Sequence, residues 1–312
     1  MREVRTGRAL LVALAVVLTG CARGTPASPS TPVGTRGFPV TITDDDGYQV
    51  TLPVLPRRIV TFAPSNTEIV FALGLGDRLV GVSGAFDDYP PRARGIERVG
   101  GSGEFGVDPN LEKVIAIDPD LMLAISGGDE WKRRARELGI PVFTINATDF
   151  DDLLRDIRTL GRLTGVPGRA AALVERMAAQ AKRVQTAVSQ EEPVACFFEV
   201  YYPPLMSVGP NTFIADLLER AGCDSVSGNA RSDYPEWSVD RLVKDGPDVY
   251  LVASESGSSP AAVGKRPGFQ AIDAVAAGRI HLIDSDLVSR PGPRVVEGLA
   301  ALAEVLHPGA FR

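Results

Sequence analysis

The feature that most constrains the fold is an alternation of strand and helix patterns that is interrupted once, by a single long helix. Before the interruption, the apolar runs RRIVTFAP (57–64) and LMLAIS (121–126) alternate with helical segments, and after it VACFFEV (194–200) and VYLVAS (249–254) do the same. Such alternation predicts mainly parallel sheets covered by helices. Residues 167–190 predict a helix about 36 Å long at 1.5 Å per residue. We therefore expect an α/β protein of two lobes, with this helix as a strut between them and a ligand cleft where the lobes face each other.

The chain divides into five segments on this reading. The N-terminal lobe is expected over residues 38–165, the connecting helix over 166–190 and the C-terminal lobe over 191–312. Residues 1–20 join a basic start to an apolar run, which is the layout of a secretory signal peptide. Residues 21–37 are rich in Pro, Ser, Thr and Gly and predict a flexible tether.

Cys21 directly follows the apolar run and the small residue Gly20, and this arrangement resembles a lipobox. It predicts that Cys21 is lipidated and becomes the mature N-terminus. The protein would then be exported and held by lipid at the outer face of the cytoplasmic membrane. An incidental cysteine after an ordinary signal peptide is the alternative. No internal stretch approaches the ~20 apolar residues that span a bilayer.

Three local signals can be read from short segments. Alternating apolar and polar residues over 38–53 predict a β-hairpin. Ser65, with Glu68 three residues later, matches a capping box and predicts that a helix starts there. Cys196 and Cys223 form either a disulfide, which an oxidising compartment permits, or two buried free thiols.

One small unit occurs in both halves of the chain. Residues 110–124 read NLEKVIAIDPDLMLA and residues 238–253 read SVDRLVKDGPDVYLVA. Each unit places a carboxylate, Glu112 or Asp240, in the first turn of a predicted helix that leads into a strand. Acids in a first turn complement the helix dipole by ~0.3–1 kcal/mol each. The repeat adds a second interpretation, because lobes related by a pseudo-twofold axis would present both acids to a twofold-symmetric partner.

Composition argues against several classes of function. The net charge is −6 and no long basic run occurs, so nucleic acid is not an expected partner. Two His and three Cys cannot supply a transition-metal site of the usual kind, so neither a metal nor a cofactor is expected. No GxSxG, HExxH or P-loop motif predicts an enzyme, and His281, inside a predicted strand, is interpreted as a packed residue. Asp44, Asp45 and Asp46 are interpreted as turn residues, with a metal site as the alternative.

Polar, aromatic and arginine residues lie at the ends of predicted strands, where open α/β sheets bind ligands. Together they suit a large, flat, partly polar ligand with anionic or hydrogen-bonding edges. For each residue alone, an ordinary loop position is the alternative. The candidates are Ser65, Asn66, Tyr89, Phe105, Ser126, Tyr201, Tyr234, Asp286 and Arg290.

Three segments and the long helix carry a resemblance to a known family. The segments are RRIVTFAPSNTEIVFALGLGDRLVGVSGAFDDYPP, NLEKVIAIDPDLMLA and SDLVSRPGPRVVEGLAAL. Over about residues 38–308 the chain resembles the substrate-binding lipoproteins of ABC importers for cobalamin and ferric siderophores. The resemblance implies two Rossmann-like lobes with mainly parallel sheets, joined by one rigid helix. It also implies a monomer that binds a small molecule and delivers it, without catalysis, to a permease dimer in the membrane.

Within this family the chain is most similar to cobalamin-binding members. The resemblance implies that Tyr89, in a DYPP segment, and Tyr234 contact a corrinoid, and that Asp286 and Arg290 do so as well. Those members carry a Trp in the loop that matches GGSGEF, and this Trp is missing here. A ferric siderophore or haem therefore stays an alternative ligand. An exported enzyme with an unrecognised site is the alternative of another class.

The same resemblance bears on the two repeated acids. Cobalamin- and siderophore-binding members use one acid in each lobe to dock arginine residues of the permease. This implies a docking role for Glu112 and Asp240. Asp240 is one methylene shorter than the Glu usual at that position, so its contact is expected to be the weaker one.

Overall fold

The computed structural model describes residues 37–84, 86–101 and 108–311. The predicted signal peptide, Cys21, nearly all of the predicted tether and Phe105 lie outside the described residues. The first half contains β1 (Val40–Thr43), β2 (Gln49–Leu52), β3 (Ile59–Thr61), α1 (Pro64–Ala72), β4 (Leu79–Val82), α2 (Leu111–Ala116), β5 (Leu121–Ala124), α3 (Asp129–Glu137), β6 (Val142–Thr144) and α4 (Phe150–Leu163). The long helix is α5 (Pro167–Val188). The second half contains β7 (Val194–Glu199), α6 (Phe213–Arg220), β8 (Cys223–Ser225), α7 (Val239–Asp245), β9 (Val249–Ala253), α8 (Pro260–Val263), α9 (Asp273–Ala276), β10 (Ile280–Ile283), α10 (Ser285–Val288) and α11 (Val295–Leu306).

Two four-stranded sheets form the centres of the two lobes. The order is β4-β3-β5-β6 in the N-terminal lobe and β10-β9-β7-β8 in the C-terminal lobe. The strand pairs in both sheets are parallel. Strands β3, β5 and β9 are buried along their whole length, which explains their unbroken apolar sequences. The predicted α/β architecture with two lobes and mainly parallel sheets is confirmed.

Helix α5 runs between the two sheets in the chain and is 22 residues long. It packs against both α4 and α11. Its buried stripe includes Leu173, Val174, Met177, Ala181 and Val184, at the spacing of one helical face. The helix therefore contributes to the same apolar core as the elements that precede and follow it.

The predicted hairpin is present as the antiparallel pair β1–β2, and its acidic turn is fastened to the N-terminal lobe. The Asp45 carboxylate accepts a hydrogen bond from the Asn146 backbone N–H at 2.7 Å. The Asp46 carboxylate lies 2.6 Å from Nζ of the buried Lys132. The turn carboxylates thus satisfy donors of that lobe, and the described residues hold no group of three or more His, Cys, Asp or Glu arranged for a metal ion.

The capping-box prediction for the first helix of the N-terminal lobe is wrong. Helix α1 begins at Pro64, and Ala63 occupies the N-cap without a side-chain hydrogen bond. Because proline is favoured at the first helical position, the N-cap lies at Ala63, two residues before the predicted Ser65, and Ser65 lies inside the helix. The Glu68 carboxylate binds the Arg294 guanidinium instead, at 2.5 and 2.9 Å.

The structure decides between the two alternatives for the cysteines. Cys196 in β7 and Cys223 in β8 form a disulfide, with their Cα atoms 5.8 Å apart. The bond ties the edge strand β8 to its neighbour β7. Within the described ranges, no helix combines the length and the apolarity that a membrane span requires.

Candidate ligand-binding site

The loops that follow β4 and β10 meet at the junction of the two lobes. Arg290, just after α10, donates from Nη1 to the carbonyl oxygen of Phe86 at 3.2 Å. Its guanidinium also lies 3.8 Å from the Asp88 carboxylate and 2.5 Å from the Asp286 carboxylate. Strands β4 and β10 are edge strands of different sheets, so this arginine joins the carboxyl ends of the two sheets.

The positive charge of Arg290 is matched by more than one carboxylate. Asp286 forms the shortest contact, and Asp88 and Glu255 each lie 3.8 Å away. Two of these acids come from the C-terminal lobe and one from the N-terminal lobe. Since opposite charges at this range offset one another, the surface around Arg290 has no surplus of positive charge.

Large aromatic side chains stand exposed on the loops at the carboxyl ends of the strands. The loop after β4 carries two of them, the loop after β7 carries one, and the segment between β8 and α7 carries one. Exposed aromatic residues that cluster on a surface commonly mark a binding site. The four are Phe86, Tyr89, Tyr201 and Tyr234.

Backbone pairing brings the Tyr201 loop and the Tyr234 segment side by side. Tyr201 forms an antiparallel bridge with Met206, and Met206 forms a second one with Glu236. The Ser207 N–H also donates to the carbonyl oxygen of Pro235 at 3.0 Å. The two tyrosines predicted from the C-terminal lobe therefore lie on adjoining strips of backbone.

A buried ionic cluster supports the Tyr201 loop from below. Glu199, the last residue of β7, accepts hydrogen bonds from Arg266 at 2.6 and 3.0 Å and another from the Tyr250 hydroxyl. Burial raises the pKa of Tyr250, and the Glu199 carboxylate raises it further, so this hydroxyl stays protonated and donates. The Arg266 guanidinium lies 3.6 Å from the centre of the Tyr202 ring. Sequence analysis missed this cluster, whose one visible signal is an acidic residue at the end of an apolar strand.

A second buried acid shapes the loop after β4. Asp87 accepts hydrogen bonds from the hydroxyls of Thr67 and Ser83, both at 2.5 Å, and from the Gly84 N–H at 3.0 Å. These bonds fasten the loop to α1 and to the end of β4. Asp87 thereby fixes the segment that carries Tyr89, although no sequence pattern distinguishes Asp87 from Asp88 as the buried acid.

Three predicted site residues follow the carboxyl ends of β3 and β5. Asn66 is completely buried and donates from its amide to the Ala124 carbonyl oxygen at 3.1 Å, and Ser65 is buried next to it. The Ser126 hydroxyl lies 3.1 Å from the Asp46 carboxylate of the hairpin turn. We expect Ser65 and Asn66 to support the site rather than to line it, while an exposed Ser126 stays a predicted contact.

The two repeated acids occupy equivalent places. Glu112 lies in the first turn of α2, with Asn110 as the N-cap, and Asp240 lies in the first turn of α7, with Ser238 as the N-cap. Both side chains are exposed. Neither forms a hydrogen bond or an ion pair with any residue in the described part of the chain. The N-cap side chains already serve the helix ends, so both carboxylates are available to a partner.

Comparison with known proteins gives a consistent result along the whole chain. The profile of a family described as periplasmic binding protein matches residues 59–287. An ABC transporter substrate-binding lipoprotein of Bacillus subtilis is 35% identical, over 97% of each chain. A cobalamin-binding protein of Halobacterium salinarum is 31% identical, over 98% of this chain and 86% of its own length.

Solved structures show the same fold. The periplasmic vitamin B12 binding protein of Vibrio cholerae superposes with a TM-score of 0.71 and 22% identity, over 82% of this chain and 99% of the other. A periplasmic heme-binding protein of Roseiflexus superposes with a TM-score of 0.72 and 23% identity, over 81% and 99%. At these identities the likeness establishes the two-lobe architecture, which two different kinds of ligand use.

Proposed function

The chain belongs to the periplasmic binding protein family, the substrate-binding proteins of ABC importers, and from this premise we propose that its ligand is a corrinoid of the cobalamin type. The site would be the junction of the two lobes, on the loops after β4, β7 and β10. In this role the protein captures its ligand outside the cytoplasmic membrane and releases it to a permease. No catalytic step is part of the proposal.

The observation that carries the choice of ligand is the charge balance at Arg290. Three carboxylates, from Asp88, Glu255 and Asp286, lie within 3.8 Å of this guanidinium. A haem with two propionates, or an anionic ferric siderophore, would have to compete with these acids for the arginine. A ligand without net negative charge avoids that competition and can still accept hydrogen bonds from the guanidinium.

The exposed aromatic residues fit the shape of such a ligand. A corrin ring is a broad, largely apolar plate whose rim carries amide groups. Tyr89 and Tyr234 offer ring faces and edges to the plate and hydroxyl groups to the rim. Arg290 and Asp286 offer a donor and an acceptor to amide groups, which contain both an N–H and a C=O.

The relatives support this choice without deciding it. The protein of Halobacterium salinarum described as cobalamin-binding aligns over nearly the whole chain, so the loops discussed above all fall within the aligned length. The solved structures include both a vitamin B12 binder and a heme binder at the same level of similarity. Binding measurements must therefore separate these ligands.

Titration with cyanocobalamin tests the proposal. We expect saturable binding at one site per chain when the mature chain is expressed without residues 1–20, so that it stays unacylated. Dicyanocobinamide, which keeps the macrocycle, should also bind, whereas haemin and a ferric hydroxamate should bind more weakly. Tighter binding of haemin or of the hydroxamate would overturn the corrinoid assignment, and chemical turnover of any of these compounds would overturn the binding function.

Delivery requires a membrane location and a docking surface. The B. subtilis relative is described as a lipoprotein. The lipobox-like sequence before Cys21 supports lipid attachment at that residue. A multiply acylated cysteine would anchor the protein stably, whereas a single acyl chain binds a membrane only weakly. For docking, we assign Glu112 and Asp240 to a twofold-symmetric permease, one contact per lobe. Their exposed positions in equivalent first turns support this assignment.

The docking proposal predicts the behaviour of a double variant. Glu112→Ala combined with Asp240→Ala should reduce ligand uptake by cells about tenfold, since two surface ion pairs contribute up to about 1 kcal/mol each. The difference from the wild type should shrink as salt concentration rises, because salt screens exposed charges. Cyanocobalamin affinity of the purified variant should be unchanged.

A matched control pair separates docking from the loss of helix-dipole interactions. Glu130 in α3 and Asp273 in α9 are exposed first-turn acids, also one per lobe. Glu130→Ala combined with Asp273→Ala should leave uptake at the wild-type level. If both double variants reduce uptake equally, the docking role of Glu112 and Asp240 is wrong.

A further inference from the structure

A buried ion pair crosses the junction of the two lobes behind the loop that carries Tyr89. Glu68, on α1 of the N-terminal lobe, binds Arg294, which is the N-cap of α11 in the C-terminal lobe. The two hydrogen bonds measure 2.9 Å from Nε and 2.5 Å from Nη2. The side chains are only 3% and 15% exposed. This forked contact fixes the plane of the guanidinium, because two of its donors are held by one carboxylate.

Cohesion of the lobes alone is a poor explanation for a pair of this kind. Burial raises the pKa of Glu68, and this effect exceeds the opposing effect of the Arg294 guanidinium. Burial therefore disfavours the charged form of the Glu68 carboxylate. Apolar residues of similar volume would join two lobes equally well or better, since buried ion pairs seldom improve stability over apolar contacts. The fixed guanidinium must therefore serve another purpose than cohesion of the lobes.

The guanidinium of Arg294 lies against the ring of Tyr89, 3.8 Å from its centre. This is the geometry of a cation–π contact. Tyr89 is 42% exposed, so the arginine covers part of the ring and leaves the rest available. A residue of the C-terminal lobe therefore sets the position of an aromatic side chain that belongs to the N-terminal lobe.

A cavity beside Tyr89 offers its ring an alternative position. A cavity of roughly 370 Å³ opens between Tyr89, Glu68 and Arg294, with Phe71, Pro90 and Pro293 also in its wall. A cavity of about 150 Å³ is enough to hold a benzene molecule. A phenol ring released from the arginine could therefore turn into this space and leave the binding surface.

From these contacts we infer that Glu68 and Arg294 are positioning residues for Tyr89, holding its ring out of the neighbouring cavity and at the lobe junction where a ligand binds. The inference deepens the proposed function, because the role of Tyr89 as a ligand contact rests on that proposal. Preorganisation of this kind raises affinity by removing the cost of ordering the side chain on binding. Because Arg294 belongs to the C-terminal lobe and Tyr89 to the N-terminal lobe, the binding surface also depends on the relative position of the two lobes.

The first test needs no ligand. The mature chain is labelled with 3-fluorotyrosine, and the Tyr89 signal among the six tyrosines is assigned with Tyr89→Phe. Arg294→Met, which keeps an unbranched stem but removes the fork and the charge, should shift and broaden the Tyr89 fluorine resonance and leave the others in place. An unchanged Tyr89 resonance would overturn the inference, whatever the protein binds.

The second test is a double-mutant cycle with cyanocobalamin as the probe. Arg294→Met should weaken binding about tenfold, within the range of a desolvated cation–π contact. In a Tyr89→Ala background the same substitution should have no further effect. Arg294→Lys, which keeps a cation over the ring, should recover part of the affinity. Equal losses with and without Tyr89 would show a merely structural role and contradict the inference.

Two further variants keep the tests interpretable. Glu68→Gln with Arg294→Met removes both charges together, so that no unpaired buried carboxylate disturbs folding, and it should repeat the effects of Arg294→Met. Arg136 is the matched control, because it is 19% exposed, pairs with Asp44 and lies 3.9 Å over the ring of Tyr48. Arg136→Met should change neither the Tyr89 resonance nor the affinity. If the wild type fails to bind cyanocobalamin, the proposed function fails, while the resonance test of the positioning role still stands.

Discussion

Replacing Glu199 by alanine is expected to lower the free energy of unfolding by about 3–5 kcal/mol, the range measured when one partner of a buried ion pair is removed. Glu199 is completely buried at the end of β7, and it binds both Arg266 and the hydroxyl of Tyr250. Without the carboxylate, a guanidinium with an 8% exposed side chain keeps its charge and loses its counter-ion. The Tyr250 hydroxyl loses its acceptor at the same time, which adds the cost of an unsatisfied buried donor.

Urea unfolding of the mature chain measures this effect, with the midpoint and the slope both recorded. Glu137→Ala is the matched control, because Glu137 also pairs with an arginine, Arg133. In this pair, however, the side chains are 60% and 61% exposed. The control should lose no more than about 1 kcal/mol. A loss for Glu199→Ala as small as that of the control would show that the cluster is not the support of the Tyr201 loop that the contacts indicate.

Replacing Tyr234 by alanine is expected to weaken the binding of cyanocobalamin by about 1–3 kcal/mol, judged from the apolar area that an aromatic side chain buries. This corresponds to roughly a fivefold to 150-fold increase in the dissociation constant. Tyr234 is 54% exposed, so its removal leaves no large hole in the protein and the unfolding free energy should change little. The loss should therefore appear in binding and not in stability.

Tyr48 provides the control for this experiment. It is 48% exposed, stacks on Arg136 and lies beside the residues that lead into the amino end of β6, whereas the candidate site lies on loops at the carboxyl ends of strands. Tyr48→Ala should leave the dissociation constant for cyanocobalamin unchanged. Equal effects of the two substitutions, or none from Tyr234→Ala, would remove Tyr234 from the site.

The general architecture could be predicted because strands buried on both faces appear in the sequence as continuous apolar runs. The runs in β3, β5 and β9 are apolar throughout since each strand is covered on both sides. The length of α5 was predictable for a related reason, namely a long stretch of helix formers without a strand pattern. The hairpin prediction is confirmed as well, but its turn carboxylates bind Lys132, Thr144 and Asn146, which lie 86 to 101 residues later in the chain.

The contacts that shape the site could not be predicted, because they join residues that are far apart in the sequence. Glu68 lies 226 residues before Arg294, and Glu199 lies 67 residues before Arg266. Glu68 was expected to form a capping box with Ser65, but Pro64 overrides this local signal and places the N-cap two residues earlier, at Ala63. Pairing between the lobes depends on how the two sheets meet, and short-range patterns carry no information about that.

The lack of long-range information in sequence patterns also affected two predicted ligand contacts. Ser65 and Asn66 follow a strand in the sequence, which placed them with the other strand-end residues. In the fold they enter α1, and Asn66 turns inward to the carbonyl oxygen of Ala124. Strand ends indicate the sheet edge at which open α/β folds bind ligands, but the first residues of a packed helix there are buried, whereas residues of longer loops, such as Tyr89 and Tyr201, stay exposed.

The binding site is tested most directly by a crystal structure of the mature chain grown with cyanocobalamin, because it shows where the ligand lies. We expect a corrin ring at the junction of the lobes, in contact with Tyr89 and Tyr234, and with Arg290 within hydrogen-bond distance of its rim. We also expect that Arg294 still covers the Tyr89 ring in the complex. An ordered corrinoid bound elsewhere, such as the groove beside the edge strand β8, would show that these loops do not form the binding site.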